Sequence, residues 1–205
     1  MTAVPRPEAG SVPLHQRSID VDVYAVDDDL VVVAHLRDSR PWADGISAVA
    51  TVHDMELRVR VRTSDLTIIG ATAEMHDFPH TECPGIEPAF AGLVGLSVTR
   101  GYTRAVQSRF GGAKGCTHLE QLARAVGPVV IQAVTSRRAF AVSSGDAEDL
   151  MVGAGGTGSP WARDSCHVWA EGGVADQKLA AGWHPGVGPY PSPALVTFLA
   201  RRTAP

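Results

Sequence analysis

Apolar and polar positions alternate through the first third of the chain. Ile19, Val21, Val23 and Ala25 share one parity and Asp20, Asp22 and Tyr24 the other, the signature of a half-buried strand. Asp27-Asp28-Asp29 makes a turn, and Leu30 to Leu36 is apolar enough for a strand covered on both faces. After a break at 38–45 that contains Pro41, a third strand is expected over 47–53. Residues 56–62 alternate most cleanly, with Leu57, Val59 and Val61 inward and Glu56, Arg58, Arg60 and Arg62 outward. Thr63-Ser64-Asp65 then turns the chain and Leu66 to Met75 returns as the next strand. The pattern predicts an antiparallel meander of about five strands over 19–76. The arginines read as a solvated face paired with carboxylates such as Asp20 and Asp22 on neighbouring strands.

The period changes after Pro79. Residues 88–96 suggest a short helix, and Tyr102, Val106 and Phe110 recur every four residues, as on an amphipathic helix. Leu119, Leu122, Ala123 and Val126 continue that period in a further helix. Gly127-Pro128 should interrupt or kink it, since proline has no N–H for the ladder, with a second helical segment over 129–138. A sheet followed by helices predicts an α+β fold, the helices layered on one face of the sheet. Residues 143–165 and 182–193 are rich in glycine, serine and proline, and Ala194 to Arg201 reads as a closing helical turn. The expected organisation is a flexible arm over 1–17, an α+β core over 18–138, and a loop-rich extension over 139–205 that packs on the core.

Composition narrows the function classes. A net charge of −4 and a pI near 6.0 lack the basic face of a nucleic-acid binder. No apolar run approaches the ~18 residues of a membrane span, and Met1 to Ser18 has no apolar stretch of the kind a secretory signal carries. The three cysteines are too widely spaced for a disulfide framework. A cytoplasmic protein acting on a small molecule, without nucleic acid or membrane and with a homodimer as an open option, is the expectation.

The chemistry concentrates at Gly111-Gly112-Ala113-Lys114-Gly115-Cys116-Thr117-His118-Leu119-Glu120. Thr117 and Glu120 have capping-box spacing, which would make Thr117 the N-cap, with Cys116 just outside the helix and His118 in its first turn. A thiol there feels the positive end of the helix dipole, which favours the thiolate. The glycine loop lacks the Gly-Lys-Ser/Thr ending of a P-loop, which argues against nucleotide hydrolysis. His15, His35 and His184 carry no supporting pattern, and His76 and His80 read as surface loop residues.

His53-Asp54-Met55, Pro79-x-x-x-Cys83, Leu93-x-Gly95, Gly101 and the Gly-Gly-x-x-Gly-Cys-Thr-His-Leu run at 111–119 resemble the bacterial DUF2889 proteins over roughly residues 17–170. Asp38-Ser39-Arg40 and Cys166-His167 also look like that pattern. More distantly, Gly115 to Ala123 is similar to the TSCPD domain of some ribonucleotide reductases, whose resemblance implies metal binding, although its additional Cys-x-x-Cys is absent. With these likenesses, Cys83, Cys116, His118 and Cys166 become candidate ligands for zinc or iron, because thiolate and imidazole suit both metals.

Two function classes follow. One is a small enzyme of organic-acid, thioester or secondary metabolism, of lyase or hydrolase type and with metal assistance as an option. Cys116, His118 and His53 would be its catalytic residues. The alternative is a non-catalytic zinc- or iron-binding accessory module.

Overall fold

The computed structural model describes residues 4–43, 45–46, 50–99, 101–145, 163–164, 166–183 and 191–203. The chain forms two compact units, Met1–Ala133 and Val134–Pro205. The first is built on a four-stranded antiparallel meander in the order β1-β2-β3-β4, with β1 Gln16–Val26, β2 Asp29–Ser39, β3 Thr51–Arg62 and β4 Thr67–Asp77. β1 is an edge strand, bonded along its length to β2. A 3-10 run over Cys83–Leu93, the helix α1 (Tyr102–Phe110) and the helix α2 (Thr117–Ser143) follow. This is the α+β arrangement that the change of period predicts.

Register explains which face is covered. Leu30, Val32, Ala34 and Leu36 of β2 pair with Val61, Val59, Leu57 and Met55 of β3. All eight are at most 2% exposed, and Leu119, Leu122, Phe90 and Leu93 are sealed with them. Phe90 stacks on Phe110 at 4.6 Å between ring centroids, joining the 3-10 run to α1. The other face is polar. There Arg58 pairs with Glu56 and Glu74, and Arg60 with Asp29 and Asp27. These, rather than Asp20 and Asp22, are the carboxylates that meet the arginine row.

Four expectations change. β2 alternates instead of being covered on both sides, because Val31 and Val33 lie on the outer face and stay half-exposed. The segments expected at 47–53 and 56–62 are one strand from Thr51 onward, with residues 47–49 outside the described part. Polar side chains at His53, Asp54 and Glu56 disguise its continuity. The arm ends sooner than expected, since Gln16 and Arg17 already pair with Ser39 and Asp38.

The fourth change concerns α2, which runs unbroken through Pro128 for 27 residues. Tertiary contact outweighs the lost hydrogen bond here. The ring of Tyr102 lies against Gly127, where an added Cβ would stand 2.7 Å from Cδ1. Its hydroxyl donates to the carbonyl of Ala123 at 2.8 Å. Burial raises the Tyr102 pKa above its ordinary value, so the hydroxyl stays protonated as a donor.

The second unit contains the helices α3 (Val174–Ala180) and α4 (Leu195–Thr203) and a 3-10 turn at His167–Trp169. Lys178 is buried there, its ammonium 3.2 Å from the Ser192 hydroxyl and 5.5 Å from the Trp183 ring centre. The residues expected to form the loop at 146–162 lie outside the described part.

Gly127→Ala tests the interlock between α1 and α2. Helix propensity alone would reward the change by about 1 kcal/mol, but the clash with a pinned ring is expected to reverse the sign, costing about 1–3 kcal/mol. A urea midpoint at or above that of the parent protein would refute the close packing.

Candidate functional site

The inward row of the sheet does not end in apolar residues. One step beyond Leu36 and Met55, the same parity brings Arg17, Asp38 and His53 side by side on β1, β2 and β3. The β2–β3 register shifts directly after Asp38, a bulge of the kind that re-aims side chains at the end of a ladder. Asp38 is 1% exposed, although it lies at the rim of the core. Its partners seal it.

Those partners are numerous. Arg17 grips the carboxylate with a fork, Nε to Oδ1 at 2.7 Å and Nη2 to Oδ2 at 2.6 Å. His15 Nε2 reaches Oδ1 at 3.1 Å, and His53 Nδ1 donates to Oδ2 at 2.9 Å. From above, His118 in the first turn of α2 places Nε2 3.4 Å from Oδ2. Its ring lies on that of His53, with centroids 3.8 Å apart and planes tilted by 33°. Arg17 also donates to Gln121 Oε1 at 2.9 Å, tying the edge strand to α2.

The electrostatics follow from this geometry. Burial is the largest effect on Asp38 and by itself raises a carboxyl pKa, but the hydrogen bonds from Arg17, His15 and His53 together outweigh it. The group is held well below the usual carboxylate range and is ionised at any ordinary pH. His118 moves down from its ordinary value, first through burial and then through the positive fields of His53, Arg17 and His15, with Asp38 opposing in part. A neutral imidazole is therefore favoured at position 118.

The thiol sits at the opposite edge of that imidazole. Cys116 Sγ is 3.7 Å from His118 Nδ1. The Cys116 carbonyl accepts the first helical bond, from Glu120 N at 2.8 Å, so Cys116 occupies the flanking position expected for Thr117. The glycine loop holds it there. A Cβ on Gly115 would stand 2.5 Å from the carbonyl oxygen of Phe110, and Gly112 has φ 61°.

Of the residues singled out from sequence, the fold brings Cys116, His118 and His53 together around Asp38. Cys83 starts the 3-10 run and is half-buried, and Cys166 is exposed at the head of the 3-10 turn of the second unit. Among the described residues, the group with ligand atoms within 4.8 Å of one another is Asp38, His53 and His118, without a cysteine. Asp38, Arg17 and His15 are the residues that sequence reasoning missed. The parity of β2 carried the signal for Asp38, because a carboxylate in phase with Leu30, Val32, Ala34 and Leu36 has to face the core side. A second pair, His35 Nε2 and Asp54 Oδ1 at 2.6 Å, lies on the outer face.

Asp38→Asn is expected to cost about 2–4 kcal/mol, because it leaves a fork and imidazoles facing a neutral amide. The pH dependence has two windows. The pKa of Asp38 is lowered, so its contribution is present above its ordinary pKa of 3.8 and fades as pH falls below it. The lowered pKa of His118 means that the unfolded chain binds a proton first, so stability begins to drop as pH falls through 6.5. Urea melts between about pH 4.5 and 7.5 (above the ordinary carboxylate value and spanning the ordinary imidazole value) should show the second loss in the parent and not in His118→Asn. The parent–Asp38→Asn difference should persist across that range. A difference that vanishes at neutral pH would mean that Asp38 bears no such load.

No helix among the described residues is long and apolar enough to cross a membrane. No curated protein and no solved structure matches the chain. A family model, described as protein of unknown function (DUF2889), matches residues 15–132. The match begins at His15 and takes in every residue around Asp38 together with Cys116, while Cys166 falls outside it. With more than half of its length matched, the chain belongs to the DUF2889 family.

Proposed function

We propose that the protein is a small enzyme that uses Cys116 as a nucleophile, with His118 as its base and Asp38 as the group that orients His118. One observation carries this reading. The thiol and the carboxylate lie at opposite nitrogens of one imidazole, 3.7 Å from Nδ1 and 3.4 Å from Nε2. That is the nucleophile–base–orienter arrangement in outline.

Asp38 selects the tautomer. With the proton on Nε2, 3.4 Å from its carboxylate, Nδ1 offers a lone pair to the Cys116 S–H. The lowered pKa of His118 keeps that lone pair free at neutral pH. Proton transfer to Nδ1 then gives a thiolate beside an imidazolium, with Asp38 and the start of a 27-residue helix to stabilise the two charges.

The substrate class that suits these groups is a small acyl compound, a thioester or an ester of an organic acid. The thiolate sulfur bonds to the carbonyl carbon, and the tetrahedral oxyanion collapses as the bond to the leaving group breaks. The leaving group takes the proton from His118. Water, deprotonated by His118, then attacks the S-acyl carbon, and the sulfur leaves as thiolate. Helix geometry leaves the N–H groups of Thr117, His118 and Leu119 ahead of the first helical bond, to Glu120, so they are available as oxyanion donors.

The direct test is intact-mass spectrometry after incubation with a panel of activated acyl thioesters. The expected result is one acyl adduct, mapped to Cys116, absent in Cys116→Ser. Turnover should fall by about 10²–10⁴-fold in His118→Asn. Cys166, the exposed thiol, serves as an internal reference for intrinsic reactivity. Adducts shared evenly by Cys83, Cys116 and Cys166, or unaffected by His118→Asn, would sink the reading.

A further inference from the structure

The same cluster has a second capacity that catalysis by the thiol does not use. We propose that Asp38 Oδ2, His53 Nδ1 and His118 Nε2 form a binding site for one divalent transition-metal ion.

The argument begins with the donors. Two imidazole nitrogens converge on one carboxylate oxygen, at 2.9 Å from His53 Nδ1 and 3.4 Å from His118 Nε2. Ligands held ~2.0–2.1 Å from a zinc ion lie ~3.3 Å apart at tetrahedral angles, so these two edges are near the length a coordination shell needs, and all three donors lie within 4.8 Å of one another. An ion there takes over the position of the proton that His53 now gives to Oδ2. Nitrogen donors select zinc or another first-row ion over calcium or magnesium, which prefer all-oxygen shells.

The surroundings set the terms of binding. His15 and the Nε of Arg17 hold Oδ1, the oxygen that faces away from the two ligand rings, and so fix the carboxylate as an outer shell does. The Arg17 fork also bonds Oδ2 at 2.6 Å. A guanidinium that close repels a dication, which makes binding weaker than in a closed four-ligand site. The two stacked rings, 3.8 Å apart, have to part to admit the ion. With three protein ligands, one position remains for water.

The ligand set differs from the one expected from sequence. Cys116 stands at the other edge of the ring from the carboxylate, and among the described residues the group of donors within 4.8 Å of one another contains no cysteine.

The test uses full-length protein stripped with chelator and titrated with Co²⁺ and Zn²⁺. Expected are one equivalent bound, no thiolate-to-cobalt charge-transfer band, and unchanged binding in Cys116→Ser. Affinity should fall by about 10–100-fold or more in His53→Ala and in His118→Asn, each first shown to be folded by circular dichroism. No binding, binding indifferent to both histidine variants, or a charge-transfer band would overturn the site.

Discussion

A carboxylate placed on the covered face of a sheet is the constraint on which the rest of this site depends. Asp38 is 1% exposed and ionised, a state that burial opposes strongly. Arg17, His15, His53 and His118 are there to meet that charge, and they come from three separate parts of the chain. The cost of an unpaired buried anion is what fixes the start of β1, the start of β3 and the first turn of α2 relative to one another. Apolar packing does the same work along the rest of the inward row, where Leu30 to Leu36 meet Met55 to Val61.

Chemistry grows out of this structural arrangement. One side of the His118 ring is held by the requirement to face Asp38, and the other is thereby turned to Cys116. The glycine loop keeps the sulfur within reach because Gly115 rests on the Phe110 backbone, where no side chain fits. In the function proposed above, a proton on Nε2 makes His118 a base toward the thiol, and the proposed metal ion would take that same atom. Both proposals draw on the single ring that lies between a carboxylate and a thiol.

Much of the fold was legible in the residues. Alternation in 56–62 placed Leu57, Val59 and Val61 inward, and the four-residue recurrence of Tyr102, Val106 and Phe110 marked a helix with those three side chains buried. Local chemistry at 111–120 pointed to Cys116 and His118. What sequence could not supply was the meeting of distant parts. His15 and Arg17 look like the end of an arm until β1 pairs with β2 and brings Arg17 opposite Asp38. Pro128 looks like a stop until Tyr102 locks on to Gly127 and holds the helix together from outside. In both cases the deciding contact spans many residues, and no local preference encodes it.

The edge position of β1 gives the site a clock. An edge strand has a partner on one side alone, and its terminal residues are the first to open in brief local unfolding. Arg17 is the second residue of that strand, and it holds both Asp38 and Gln121. An opening at the start of β1 therefore uncovers the Asp38 carboxylate that Arg17 holds. The frequency of these openings, rather than the stability of the whole sheet, governs how long the charge stays sealed and how often solvent and solutes gain entry.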